Sequence, residues 1–206
     1  MTRGIGRRRR RSFLAAVGSV GIGLAACGGS NPLDNPASVS NPAGGAGQRL
    51  SFAYFQLCVN PIFVNPIPIP NSTATKTCGA SGCHDNVTGA GGAFRIIPNA
   101  SVVDLTNPAN TAAAIQTTDM YKNFYSAQGE VVIGSPSQSR LLNKPLLQNV
   151  FHGGGKVFAA TTDYDVKVIT YWISNPAPPG QDEFSSATYG MFTPAYPDPN
   201  AKCNTN

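Results

Sequence analysis

Glycine and proline punctuate this chain so densely that no long helix or strand fits between them. The 206 residues hold 22 glycines and 17 prolines. Proline removes a backbone donor and blocks a helix interior, and glycine weakens helices and strands alike. The stretches left with an apolar period are short. Phe52, Phe55 and Val59 recur at helical spacing, with Tyr54 and Cys58 on an adjoining stripe, until Pro61 marks an end or a kink. Residues 108–127 read as helix in one or two pieces, with Ile115, Met120 and Phe124 on the apolar side. A turn at residues 134–139 leads into a short helix. The strongest pattern follows Asp163, a natural cap, and runs through Val166, Ile169 and Trp172 to the prolines after Asn175. Residues 64–76 are held extended by prolines, and no strand alternation supports a sandwich. The expected fold is mainly α: one small helical domain over residues 50–178 with long Gly/Pro-rich loops, followed by an irregular tail, 179–206. So little regular structure needs a bound group or disulfides at its centre.

The start of the chain fixes the compartment. Five arginines, Arg7 to Arg11, precede an apolar run of about 14 residues, too short to cross roughly 30 Å of hydrocarbon as a helix. A basic head and a short apolar segment form an export signal, residues 1–26. It ends in small residues before Cys27, the pattern of a bacterial lipoprotein cleavage box. Cys27 then becomes the lipid-bearing first residue; plain cleavage nearby would leave it free. Arg10 and Arg11 also fit a twin-arginine signal. Residues 27–49, rich in Gly, Pro, Ser and Asn, read as a flexible tether. Six of the 15 basic residues belong to the signal, which leaves nine against ten acidic ones. No basic stripe remains for nucleic acid.

The chemistry concentrates in residues 77–85, TCGASGCHD, which hold two of the five cysteines and one of the two histidines. Lipidation uses Cys27, and four cysteines remain in an oxidising compartment. They can form two disulfides, with Cys58 and Cys203 as one pair. A cysteine pair ending in Cys-His is also the attachment signature of c-type haem. Cys78 and Cys83 would become thioethers, and His84 would reach the iron. The usual gap between the cysteines is two residues and here it is four, so Cys78 must sit on a bulged loop, for which Gly79 and Gly82 provide freedom. A tetrahedral zinc site is a third possibility, with thiols exposed to oxidation. If haem binds, the sixth iron position falls to His152 in a Gly-rich loop, to Met120, to Met191, or stays open. Met120 reads more simply as core.

The order of motifs resembles a bacterial cytochrome c-like family, the planctomycete-type or related extracytoplasmic haem domains. The matching pieces are Val59-Asn60-Pro61-Ile62-Phe63; Cys78, Cys83 and His84; Gly91, Gly92 and Phe94; Gly134, Pro136, Ser139 and Leu141; His152-Gly153-Gly154; and Trp172-Ile173. They span about residues 50–178. The resemblance implies a covalent haem c with its iron, held by Cys78, Cys83 and His84, with His152 in the place of the family's distal motif. It departs from the family in its cysteine gap. Covalent haem is also added to unfolded exported chains, which conflicts with a twin-arginine route.

The expected function is a lipid-anchored, periplasmic c-type haem protein that carries electrons between redox protein partners. A haem-free, disulfide-stabilised lipoprotein that binds a partner or ligand is the alternative. An open haem site acting on peroxide is the enzymatic one. The chain has no serine elbow, phosphate loop or dinucleotide fingerprint.

Overall fold

The computed structural model describes Met1 and residues 47–206 apart from residue 70, and the fold belongs to the unit Asn41–Asn206. The expected export signal, Cys27 and most of the expected tether lie outside the described residues. No helix among those described is long and apolar enough to cross a membrane.

The first helix is the centre of the molecule. Helix α1, Phe52–Tyr54, continues through a π-helical segment, Phe55–Val59, into α2, Asn60–Val64. The reason for the wide middle lies in Pro61. Inside an α-helix its ring would collide with the carbonyl four residues back, that of Leu57. The π turn instead sends the Asn60 N–H to the Phe55 carbonyl and opens room for the ring. Pro61 therefore does not end the helix; of the end or kink expected from sequence, the structure shows a local widening through which the helix continues. Phe52, Tyr54, Phe55 and Val59 are all fully buried, so both expected stripes face protein.

Around this axis pack the other helices. Residues 108–127 form two pieces, α3, Ala112–Ile115, and α4, Asp119–Gln128, capped by Thr111 and Thr118 through their side chains. A 3-10 turn, Pro136–Gln138, precedes α5, Arg140–Leu146. Helix α6, Tyr164–Ser174, buries Val166, Ile169, Trp172 and Ile173. Asp163 occupies its N-cap position, but its carboxylate turns backward and accepts from the Ala159 and Ala160 N–H groups at 2.8 and 3.2 Å. Asp163 therefore fastens the preceding loop. The Trp172 indole donates to the Ser51 carbonyl at 3.0 Å, and its ring meets Phe55 and Phe124 at 5.4 and 6.2 Å.

Two buried amides replace the ladders that the loops lack. The Gln56 side chain donates to the Val103 carbonyl and accepts from the Val103 N–H, at 3.0 and 2.9 Å. Asn123 does the same for Ile97 and also donates to Asn60. Each loop strand is thereby paired to a helix and its backbone groups are satisfied in the interior.

The segment after residue 178 is not irregular, as its sequence suggested. It forms a 3-10 helix, Ser186–Met191, and an antiparallel pair of β3, Phe192–Thr193, with β4, Lys202–Cys203. A separate antiparallel pair earlier in the chain joins β1, Ile67–Pro68, to β2, Thr75–Lys76. Met191 and Phe192 are buried in the core, and Cys203 is bonded to Cys58. Arg49, assigned to the tether from sequence, is already held: its carbonyl accepts from the Ala177 N–H, and its guanidinium lies 3.9 Å from the buried Glu183.

Candidate functional site

Residues 77–84 do not form a helix; they fold back through a series of turns. The Ala80 N–H donates to the Thr77 carbonyl, the Cys83 N–H to Ala80, and the His84 N–H to Cys78, the last two at 3.0 Å. The final bond returns Cys83 and His84 to the level of Cys78, so four intervening residues still leave both thiols on one wall. Gly82 takes φ +77° in this turn, a region that glycine enters without strain. Gly79 has a different reason from the freedom expected of it: a Cβ there would lie 3.1 Å from Ile96 Cγ2.

Asp85 holds the loop shut. Its carboxylate accepts from the N–H groups of Gly82, Val87 and Thr88 and from the Thr88 hydroxyl, at 2.7–3.2 Å. Those donors, Thr88 foremost, hold its pKa down at about 2, against an ordinary 3.8. The folded value is depressed, so the stabilisation is complete above pH 3.8 and disappears as pH falls towards 2. Asp85→Asn should flatten that acid limb of the stability curve. An acid-unfolding titration with the same slope in both proteins would show that Asp85 does not clamp the loop.

Cys78, Cys83, His84 and His152 all line one cavity of about 640 Å³. Its first wall is the turn segment with Phe94; its second runs from Arg140 in α5 to Phe158. Phe63, Ile67, Leu141 and Val157 make most of the lining apolar. The volume is within the range of small-molecule and cofactor sites. Met120 and Met191, the alternative sixth ligands, are buried in the core and do not line it.

The two histidines line the same cavity, and each is held through Nδ1 by a backbone carbonyl. His84 Nδ1 lies 3.1 Å from the Phe94 carbonyl, and His152 Nδ1 lies 2.8 Å from that of Gly155. A carbonyl only accepts, so each Nδ1 carries a proton, and in the neutral imidazole that leaves Nε2 as the nitrogen with the lone pair. Carbonyl partners of this kind fix the orientation of metal-binding imidazoles. Burial holds the His84 pKa below its usual 6.5 and keeps the ring neutral. The rings are 13° from parallel, with centroids 6.1 Å apart.

Gly91 explains the second glycine cluster. A Cβ at this position would stand 2.4 Å from both Cε1 and Nδ1 of His84. Its N–H also donates to the Cys83 carbonyl at 2.8 Å, which pins the backbone against the ring. Gly91→Ala should therefore displace the imidazole, break its bond to Phe94 and lower stability by about 1–3 kcal/mol. Urea unfolding together with the His84 ring resonances checks this; an unshifted ring would reject the contact.

Cys78 and Cys83 are free thiols, both half-buried. Burial first, and then the neighbouring Cys83 and Asp165, push the Cys78 thiol up to about 12. It stays protonated at neutral pH, and it is the thiolate that binds metals and attacks disulfides. Among the described residues no three Cys, His, Asp or Glu side chains are grouped to hold a metal ion, so the donor set of a tetrahedral zinc site is not assembled.

Sequence reading located the Cys-His segment and the His152 loop. It gave no role to Asp85, nor to the carbonyls of Phe94 and Gly155 that set the tautomers. Asp85, directly after His84 and three residues before Thr88, carries the signal of an Asx turn; the carbonyls carry none. No protein-family model matches the chain, and no curated protein or solved structure matches it.

Proposed function

We propose that this protein binds a covalent c-type haem in the 640 Å³ cavity and transfers electrons between protein partners outside the cytoplasm, tethered to the membrane by lipid on Cys27. The observation that carries the proposal is the histidine pair. Two metal–nitrogen bonds of about 2 Å each, with the two ring radii, separate imidazole centroids bound to one metal ion by roughly 6.4 Å. The His84 and His152 centroids are 6.1 Å apart, close to that spacing, and each ring is held through Nδ1 on a backbone carbonyl, which leaves Nε2 as the atom offered to a metal.

The rest of the cavity suits such a group. Cys78 and Cys83 stand on the wall that carries His84, where thioether bonds would anchor a porphyrin edge. Phe63, Phe94, Leu141 and Val157 offer apolar contact to a flat ring and exclude water. A haem held there supplies a reversible one-electron iron couple, and two histidine ligands set it at a lower potential than histidine with methionine. The chain's own work is to hold both imidazoles in one tautomer and orientation.

The test is expression with the signal in a host that matures c-type cytochromes, followed by a denaturing gel stained for haem peroxidase activity. A stained band near the mature mass is expected. An unstained band, with an intact mass two hydrogens lighter than the fully reduced chain for each of two cysteine pairs and without added haem, would replace this reading with the disulfide-stabilised lipoprotein.

A further inference from the structure

Helix α5 ends in an unusual way beside the cavity. Leu147 closes it at φ 55° and ψ 37°, and Asn149 also has a positive φ of 59°. The left-handed region disfavours a branched, bulky residue such as leucine, and a glycine would fit there without strain. The bonds from Leu147 N–H to the Lys144 carbonyl and from Gln148 N–H to the Asn143 carbonyl, at 3.0 and 2.8 Å, hold the turn. The result is a ridge of three apolar side chains in solvent: Leu147, Val150 and Phe151, exposed by 43, 37 and 86 %. Phe151 also lines the cavity, directly before His152. The ridge therefore runs from the outer surface to the site.

Charge surrounds it asymmetrically. Lys76, Arg140 and Lys144 line the cavity against one acid, Glu130, which pairs with Arg140 at 3.6 Å. That local excess of two positive charges sits on a chain that, after residue 26, has nine basic residues and ten acidic ones. An apolar centre with a charged margin is the anatomy of a protein interface, and a net positive field selects and steers a negative partner.

We propose that the ridge of Leu147, Val150 and Phe151, with Lys76 and Lys144 beside it, docks an acidic electron-transfer protein and brings it to the cavity mouth. The proposal rests on the haem reading. A protein fits better than an anionic membrane because the ridge opens directly onto the cavity, where a lipid surface would block exchange with any soluble partner.

The experiment uses the full-length haem-loaded protein in detergent, reduced, and mixed in a stopped-flow instrument with an acidic blue-copper protein or with a basic c-type cytochrome as acceptor. At low salt the acidic acceptor should react at least about tenfold faster, and the advantage should fade as salt rises. Lys144→Glu should remove most of the advantage, and Val150→Ser, on the ridge but outside the cavity lining, should slow the acidic acceptor at every salt concentration with an unchanged visible spectrum. Equal, salt-independent rates for the two acceptors would overturn the docking surface while the haem spectrum still stands. Loss of haem absorbance in Lys144→Glu would also overturn it, by giving the charge to the bound group. So would salt-sensitive sedimentation with vesicles of anionic lipid that the variants abolish while acceptor rates stay fixed. A wild-type protein without haem absorbance would remove the underlying reading, and the docking proposal with it.

Discussion

Replacing Cys58 and Cys203 together by serine should lower the stability of the protein by about 5 kcal/mol on the chain-entropy account, and by about 2–5 kcal/mol on the measured range for native disulfides. The size follows from the bond's span. It joins residues 145 apart in sequence and so removes a very long loop from the unfolded ensemble. Against the usual 5–15 kcal/mol for a domain, that is a large share. The bond also fixes the C-terminal segment to the central helix. Around it Tyr54 gives its hydroxyl to the Asn204 carbonyl and packs on Phe192 at 5.4 Å, and the Ser51 and Thr188 hydroxyls meet at 2.8 Å. These contacts all need the segment in place and should weaken with the bond. Urea unfolding with and without dithiothreitol measures the effect. An identical midpoint in the two buffers would mean that packing alone holds the segment.

His152→Ala should alter the site without unfolding the chain. His152 is on a loop, half-exposed, and its contacts are the Gly155 carbonyl and the facing His84 ring. With haem attached through Cys78 and Cys83, the variant should keep its stained band on a denaturing gel but change from a low-spin to a high-spin absorption spectrum. The vacated position should then accept cyanide or carbon monoxide. His84→Ala makes a useful contrast, because it removes the ligand next to the attachment site and should weaken iron binding more. A spectrum unchanged by His152→Ala would take this residue off the iron and leave its loop as part of the cavity wall only.

The two predictions draw on different parts of the chain's information. Parity among four cysteines suggests the pair Cys58 and Cys203, which the structure joins. Cys83 and His84 are neighbours by covalent bond, so their sharing a site needs no fold at all. The pieces of helix between residues 108 and 174 were legible too, since Ile115, Met120, Phe124, Val166, Ile169 and Trp172 keep a helical period that burial enforces. At Pro61 the sequence leaves both an end and a kink open, and the helix widens and continues. Proline's clash is a local rule, but whether the helix stops or widens depends on whether burial of the residues after it, Ile62 and Phe63, favours continuing.

The amino-acid sequence by itself determined the short helices, the long loops and the Cys-His segment, because composition, periodicity and covalent adjacency act over a few residues. Only the tertiary structure decided that His152, 68 residues after His84, would stand parallel to it, and that Gly91 would leave room for the ring. It also decided that Gln56 and Asn123 would pair with loop backbone 47 and 26 residues away, and that the last residues would pack on the first helix. The physical reason is common to all of these. A long-range contact carries no local period; it forms when a shared core buries both partners and satisfies their polar atoms, and that condition is a property of the assembled chain.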